Sequence, residues 1–289
     1  MKLVYLTILF LSLLVINHLK SSNEKWEIGA RQSGLGFCGV AIIDNWSSVY
    51  NQAALAFLNN YSINFYFEQR FLIKELSFQA LNLVLPTNKN GTFAIDLTYF
   101  GFKNYNEASI SLAYGILLGK NLAIGSKISY LNTHYAEGYG NKGNVIGNVS
   151  IFFNHREKFF WGVHIFNINR AKLAPYYDER IPTIIYTGLS YKLTKKILST
   201  FELEKDFSYP LIYKIGIEYN LFNNFLLLVG LNIHTSSYFT FGIGYESTKI
   251  SVNIAFSYNN YLGYTPHISF SYNFKKINKS QGSEENNIF

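Results

Sequence analysis

The chain has 289 residues, of which 15% are charged and 18% aromatic, with 23 Tyr, 25 Phe and a formal net charge of +7. A soluble domain typically carries about 25% charged residues, so the shortage argues against an ordinary water-facing surface, and the aromatic surplus suits the girdles of a lipid-embedded wall. Lys and Arg are scattered through turns and tail, which speaks against nucleic acid as a partner, and the single Cys38 excludes an internal disulfide.

In chain order, residues 1–22 read as a signal peptide: Lys2 supplies a positive start, Leu3 to Ile16 an apolar stretch, and Ser21 and Ser22 small residues near a cut. The apolar stretch is short of the roughly 20 residues that a membrane-spanning helix needs, and no later stretch comes close. Export with removal of the leader is the expectation.

Residues 23–60 are not patterned as strands. They contain Gly29-Ala30-Arg31, Gly34, Gly36 and Gly39, then Asp44 and the run from Ser47 through Asn51 to Ala56. The glycines suit tight turns and the Ala/Leu run suits a short helix. Too small to fold alone, this segment is expected inside a barrel as a plug.

Residues 61–274 fall into about fourteen segments of strand length, beginning near Tyr61, Leu76, Gly91, Glu107, Asn121, Asn144, Lys158, Pro182, Lys196, Tyr209, Asn224, Ser237, Lys249 and Tyr264. Within a segment one face is apolar and the other small or polar, because strand side chains alternate. The clearest outward rows are Ile110/Leu112/Tyr114/Ile116, Ile215/Ile217/Tyr219/Leu221, Phe239/Phe241/Ile243/Tyr245 and Ile250/Val252/Ile254/Phe256/Tyr258. At about 3.3 Å per residue and a tilt near 40°, about ten residues cross an apolar band of about 25 Å. The fold class expected is therefore all-β: a transmembrane antiparallel β-barrel of about fourteen strands with an N-terminal plug in its lumen. The two longest breaks, 133–143 and 169–181, then fall on the external side, as loop parity requires. Of the competing soluble architectures, a small barrel of eight strands would leave almost half of the chain unexplained, and a sandwich would need charged outer faces, whereas the polar faces here are mostly Ser, Asn, Gly and Thr. Residues 275–289 lose the alternation and read as a disordered periplasmic tail.

The stretch from Gly29 to Ala56 resembles the start of the PorV/PorQ-like proteins of the FadL-like outer-membrane superfamily. The resemblance continues at Leu203-Glu204-Lys205-Asp206, at Gly216-Ile217-Glu218-Tyr219 and from Leu262 to Ser269. The family's Asn-Pro-Ala-Gly stands here as Asn51-Gln52-Ala53-Ala54, and Pro266 intrudes in the last strand. The resemblance implies a plugged fourteen-strand barrel in the Gram-negative outer membrane, with Gly29, Ala30, Arg31, Gly34, Gly36, Asp44 and Asn51 as its plug motif. Its family functions range from type IX secretion to uptake of hydrophobic molecules.

Glu202, Glu204 and Asp206 share one inward face and Glu218 points inward on the next strand, and these lumen carboxylates are expected to anchor Arg31, Lys127 and Lys214. Apolar residues on the inward side, Phe166, Ile184, Tyr186, Leu226 and Leu228, suit either a greasy ligand pocket or packing against the plug. Histidines are dispersed, and His234 beside Ser236 and Ser237 is a weak hydrolase signal. No catalytic, cofactor or metal site is expected. The leading functional expectation is a non-enzymatic barrel that takes part in or scaffolds surface protein export, with secretion-system or other membrane-complex proteins and lipid as partners. The alternative is a FadL-like channel for a hydrophobic ligand, and an outer-membrane enzyme is a minor third.

Overall fold

The computed structural model describes residues 26–87, 91–136, 140–172, 180–207, 209–222, 224–233 and 237–276. The leader 1–22, His234, Ser236 and most of the tail lie outside these residues.

Fourteen strands follow one another in the chain: β1 (Asn60–Gln69), β2 (Ser77–Pro86), β3 (Thr92–Phe102), β4 (Tyr105–Leu117), β5 (Leu122–Tyr135), β6 (Gly140–His155), β7 (Phe159–Phe166), β8 (Ile184–Lys192), β9 (Ile197–Asp206), β10 (Ile212–Phe222), β11 (Phe225–Ile233), β12 (Tyr238–Glu246), β13 (Ile250–Asn259) and β14 (Gly263–Lys276). Each starts within four residues of the position read from the alternation. Every strand pairs antiparallel with its sequence neighbours, and β1 pairs with β14 from Asn60↔Lys276 to Glu68↔His267, which closes the sheet into a barrel. Closure leaves no unpaired strand edge, the condition for a sheet to survive in hydrocarbon.

The wall is two-faced as the sequence requires. On β12, Phe239, Phe241 and Ile243 project outward while Thr240, Gly242 and Gly244 are buried inside. Ile254 stands opposite Ile243 on β13, and Phe270 projects outward from β14. Among the described residues no helix is long and apolar enough to cross a membrane.

One expectation about loops is corrected. The segment 133–143 was expected to be a long external loop, yet β5 and β6 stay paired through it, with Thr133↔Lys142, His134↔Asn141 and Tyr135↔Gly140. Thr and Tyr favour extended backbone, and a polar ladder needs no lipid to persist, so the hairpin runs on past the apolar band. The opposite rim carries tight turns, such as β6–β7, where Arg156 and Glu157 take φ of 52° and 54°.

Candidate functional site in the barrel lumen

The segment before β1 lies inside the barrel. It contains α1 (Ala30–Gly34), α2 (Ser47–Tyr50) and a 3-10 turn (Gln52–Phe57). The α1 turn packs against β11 to β14, while the 3-10 turn packs against β3 to β6, so the segment spans the lumen from one arc of wall to the other. Nearly all of residues 28–56 are buried.

Glycines make the contact with the wall close enough. Gly36 has φ +68°, and a Cβ there would stand 2.6 Å from the Leu231 carbonyl oxygen. On the wall, a Cβ on Gly216 would come 2.6 Å from the Leu35 oxygen. Only hydrogen fits at either position. Thr240 then bridges the gap, accepting from Gly36 N at 2.9 Å and donating to the Gly34 carbonyl at 3.0 Å. Asn51 does the same on the opposite side: its Nδ2 donates to the Val40 and Ile151 carbonyls, at 2.9 and 3.0 Å, and its Oδ1 accepts from Ala53 N at 3.1 Å. Gly29 takes φ +115° ahead of buried Ala30, and Asp44 accepts from Gln32 Nε2 and from Trp46 N.

Charges meet charges across this interface. Arg31 donates two hydrogen bonds to Glu218, from Nε at 2.7 Å and Nη2 at 2.9 Å, and its guanidinium also lies 3.7 Å from Asp44 and 3.8 Å from Glu246. Glu202 accepts from the backbone amides of Gly39 and Val40, at 2.8 and 2.9 Å. Lys214, wholly buried, pairs with Glu204 at 2.8 Å, with Glu202 at 3.6 Å and with Glu27 of the N-terminal segment. Lys127 pairs instead with Asp96 at 2.6 Å, whose other oxygen accepts from Ser48 and Asn82, each at 2.7 Å. Cys38 is fully buried, and burial, reinforced by the Glu202 carboxylate, pushes its thiol well above the usual range. It is a packing residue rather than a nucleophile.

Two further groups were not singled out from the sequence. Trp26 stacks on Phe78 with centroids 4.5 Å apart and lies tilted against Phe100 at 4.4 Å, and the Arg70 guanidinium lies 4.0 Å from its ring. Arg70 pairs with Glu68 at 2.6 Å, and the Tyr66 hydroxyl joins Glu68 to His267. Asp96, Glu68 and Phe78 stand at inward positions of regular strands, so alternation marked their face. Trp26, Lys127 and His267, which these three meet, lie far away in sequence.

The five apolar residues expected on the lumen side do not form one pocket. Phe166, Ile184 and Tyr186 are packed with Val40, Ala41, Ala53 and Ala54, whereas Leu226 and Leu228 form a separate cluster with Leu35, Cys38 and Ile42. Strands β8 and β11 lie on different arcs of the wall, and different side chains of the N-terminal segment cover each, Val40 and Ala41 the one, Cys38 and Ile42 the other. Open space remains elsewhere, in a cavity of about 70 Å³ between Trp26, Ile28 and Val49 on one side and Thr98, Ser109, Ser111, Ser129 and Phe166 on the other. A dry cavity of about 150 Å³ accommodates benzene, so this one holds smaller guests while the segment stays in place. Among the described residues, no group of three or more His, Cys, Asp or Glu is arranged to hold a metal ion.

No protein-family model matches the sequence, and no curated protein matches it. Solved structures do. The Ralstonia pickettii toluene transporter TbuX superposes with a TM-score of 0.68 at 10% identity, over 88% of this chain and 100% of that one. The monoaromatic hydrocarbon channel CymD gives 0.66 at 12% identity, over 86% and 97% of the two chains. A FadL homologue from Pseudomonas aeruginosa gives 0.62 at 9% identity, over 86% and 98%. At these identities the likeness is one of fold: the chain is a closed fourteen-strand barrel built like the toluene transporter, the hydrocarbon channel and the FadL homologue.

Proposed function

We propose that the protein is an outer-membrane channel through which small hydrophobic molecules enter the cell, with residues 26–58 as a plug in its lumen. The observation that carries the reading is the shared fold, found repeatedly among channels and transporters of toluene and other monoaromatic hydrocarbons. The lumen supports it. Its filling is apolar where the plug meets Phe166, Ile184, Leu226 and Leu228, and a cavity beside it is walled on one side by Trp26, Ile28 and Val49. The plug is held by hydrogen bonds and ion pairs, bonds that can exchange for water, rather than by a covalent link.

The export-scaffold reading rests on the motif resemblance from Gly29 to Ala56 and expects secretion-system subunits to copurify. The solved structures favour uptake over it, since those similar to this chain are channels and transporters. The test is accumulation of radiolabelled toluene by cells that carry or lack the gene. Faster accumulation in the carrying cells supports the channel. Equal rates, with secretion subunits recovered on the purified barrel, support the scaffold.

A further inference from the structure

The turns β4–β5, β6–β7 and β8–β9 lie side by side on the rim where the barrel's first strand begins and its last strand ends. Backbone bonds tie them together: Asn154 N donates to Asn121 O at 2.8 Å, and Lys192 N to Lys158 O at 2.9 Å. Along this arc stand Lys120, Arg156, Lys158, Lys195 and Lys196, all exposed, and Glu157 is the one acid in the three turns. Lys192, on the same arc, turns toward the Phe160 ring.

Apolar side chains are interleaved with these cations. Leu118 and Leu193, at the tips of two of the turns, are 59% and 57% exposed. Just up the outer wall stand Leu117, Leu122 and Tyr191, and the Lys158 ammonium lies 5.3 Å from the centre of the Tyr191 ring. An acidic soluble protein would not need the leucines. A bilayer interface calls for all three parts: leucines reaching toward the acyl chains, an aromatic ring at the boundary, and ammonium groups at the depth of the phosphates.

We propose that this arc binds the phosphate of anionic phospholipid headgroups in the leaflet it borders, which by loop parity is the periplasmic one. The inference goes beyond the uptake reading and depends only on the barrel lying in a membrane. Five cations around a short arc hold an anionic headgroup where a zwitterionic one is only weakly attracted.

The test is native mass spectrometry of the detergent-purified full chain after incubation with equimolar phosphatidylglycerol and phosphatidylethanolamine. The wild type is expected to retain phosphatidylglycerol in about tenfold excess. The excess should fall to near parity in the combined variant Lys158→Gln, Lys195→Gln, Lys196→Gln, and persist in Lys74→Gln, Lys103→Gln, Lys142→Gln on the opposite rim. Equal retention of the two lipids by the wild type overturns the proposal, as does an unchanged excess in the first variant or an equal loss in the second. A wild-type excess that is indifferent to high salt overturns it without any variant.

Discussion

Glu218 receives both hydrogen bonds of the Arg31 fork, so Arg31→Ala leaves a carboxylate in the lumen without its partner. Breaking a buried pair from one side costs roughly 3–5 kcal/mol, because the remaining charge stays desolvated. The expected result is a loss of hydrogen-exchange protection over residues 29–42 while the barrel strands stay protected. Unchanged protection would show that Arg31 does not hold the segment. Cys38 reports on the same packing in the unmodified protein, being the chain's single cysteine, fully buried, with its thiol held protonated by burial. A water-soluble maleimide should leave it unlabelled in the folded protein and label it fully after heat unfolding; rapid labelling of the folded form would mean that the segment is not seated. At this scale the sequence showed which side chains face inward, but not which of them meet. Alternation places Lys127 and Asp96 on the inner face, and only the closed geometry shows that they pair with each other 2.6 Å apart, with Ser48 of the N-terminal segment alongside.

The strands themselves were legible because their physics is local. An outward row such as Phe239/Phe241/Ile243 and an inward row such as Thr240/Gly242/Gly244 can be read from period two alone, and the inward glycines of the wall anticipate a close approach. The continued pairing of β5 and β6 was not legible, since polar residues that leave the apolar band look like loop until their cross-strand partners are known. A charge on the outer row should be costly: Ile243→Arg sets a guanidinium toward lipid at a position 58% exposed on the outer wall. The expected loss is about 2–4 kcal/mol near the midplane of the bilayer, measured by denaturant unfolding in vesicles. Thr87→Arg, just past the end of β2 at the rim, should cost about 1 kcal/mol or less by the same scale. Equal costs at the two positions would remove the membrane from the account of this wall.

At the level of the whole molecule, a closed barrel and an N-terminal segment that spans its lumen form one unit, joined by ion pairs at Arg31 and Lys214 and by backbone contacts at Gly36 and Val40. On the uptake reading, a hydrophobic molecule passes when the segment gives way, since the cavity beside Trp26 and Val49, about 70 Å³, is smaller than a site that takes benzene. Cys38 offers a lock for this movement, since Thr200 of β9 adjoins its thiol. In Thr200→Cys, oxidation should tie the segment to the wall. The decisive measurement is accumulation of radiolabelled toluene by cells carrying this variant, oxidised and then reduced. The account predicts uptake near the level of cells without the gene when the bridge is formed, and recovery to the wild-type rate on reduction. Equal uptake in both states, with the disulfide verified on the purified protein, would contradict it.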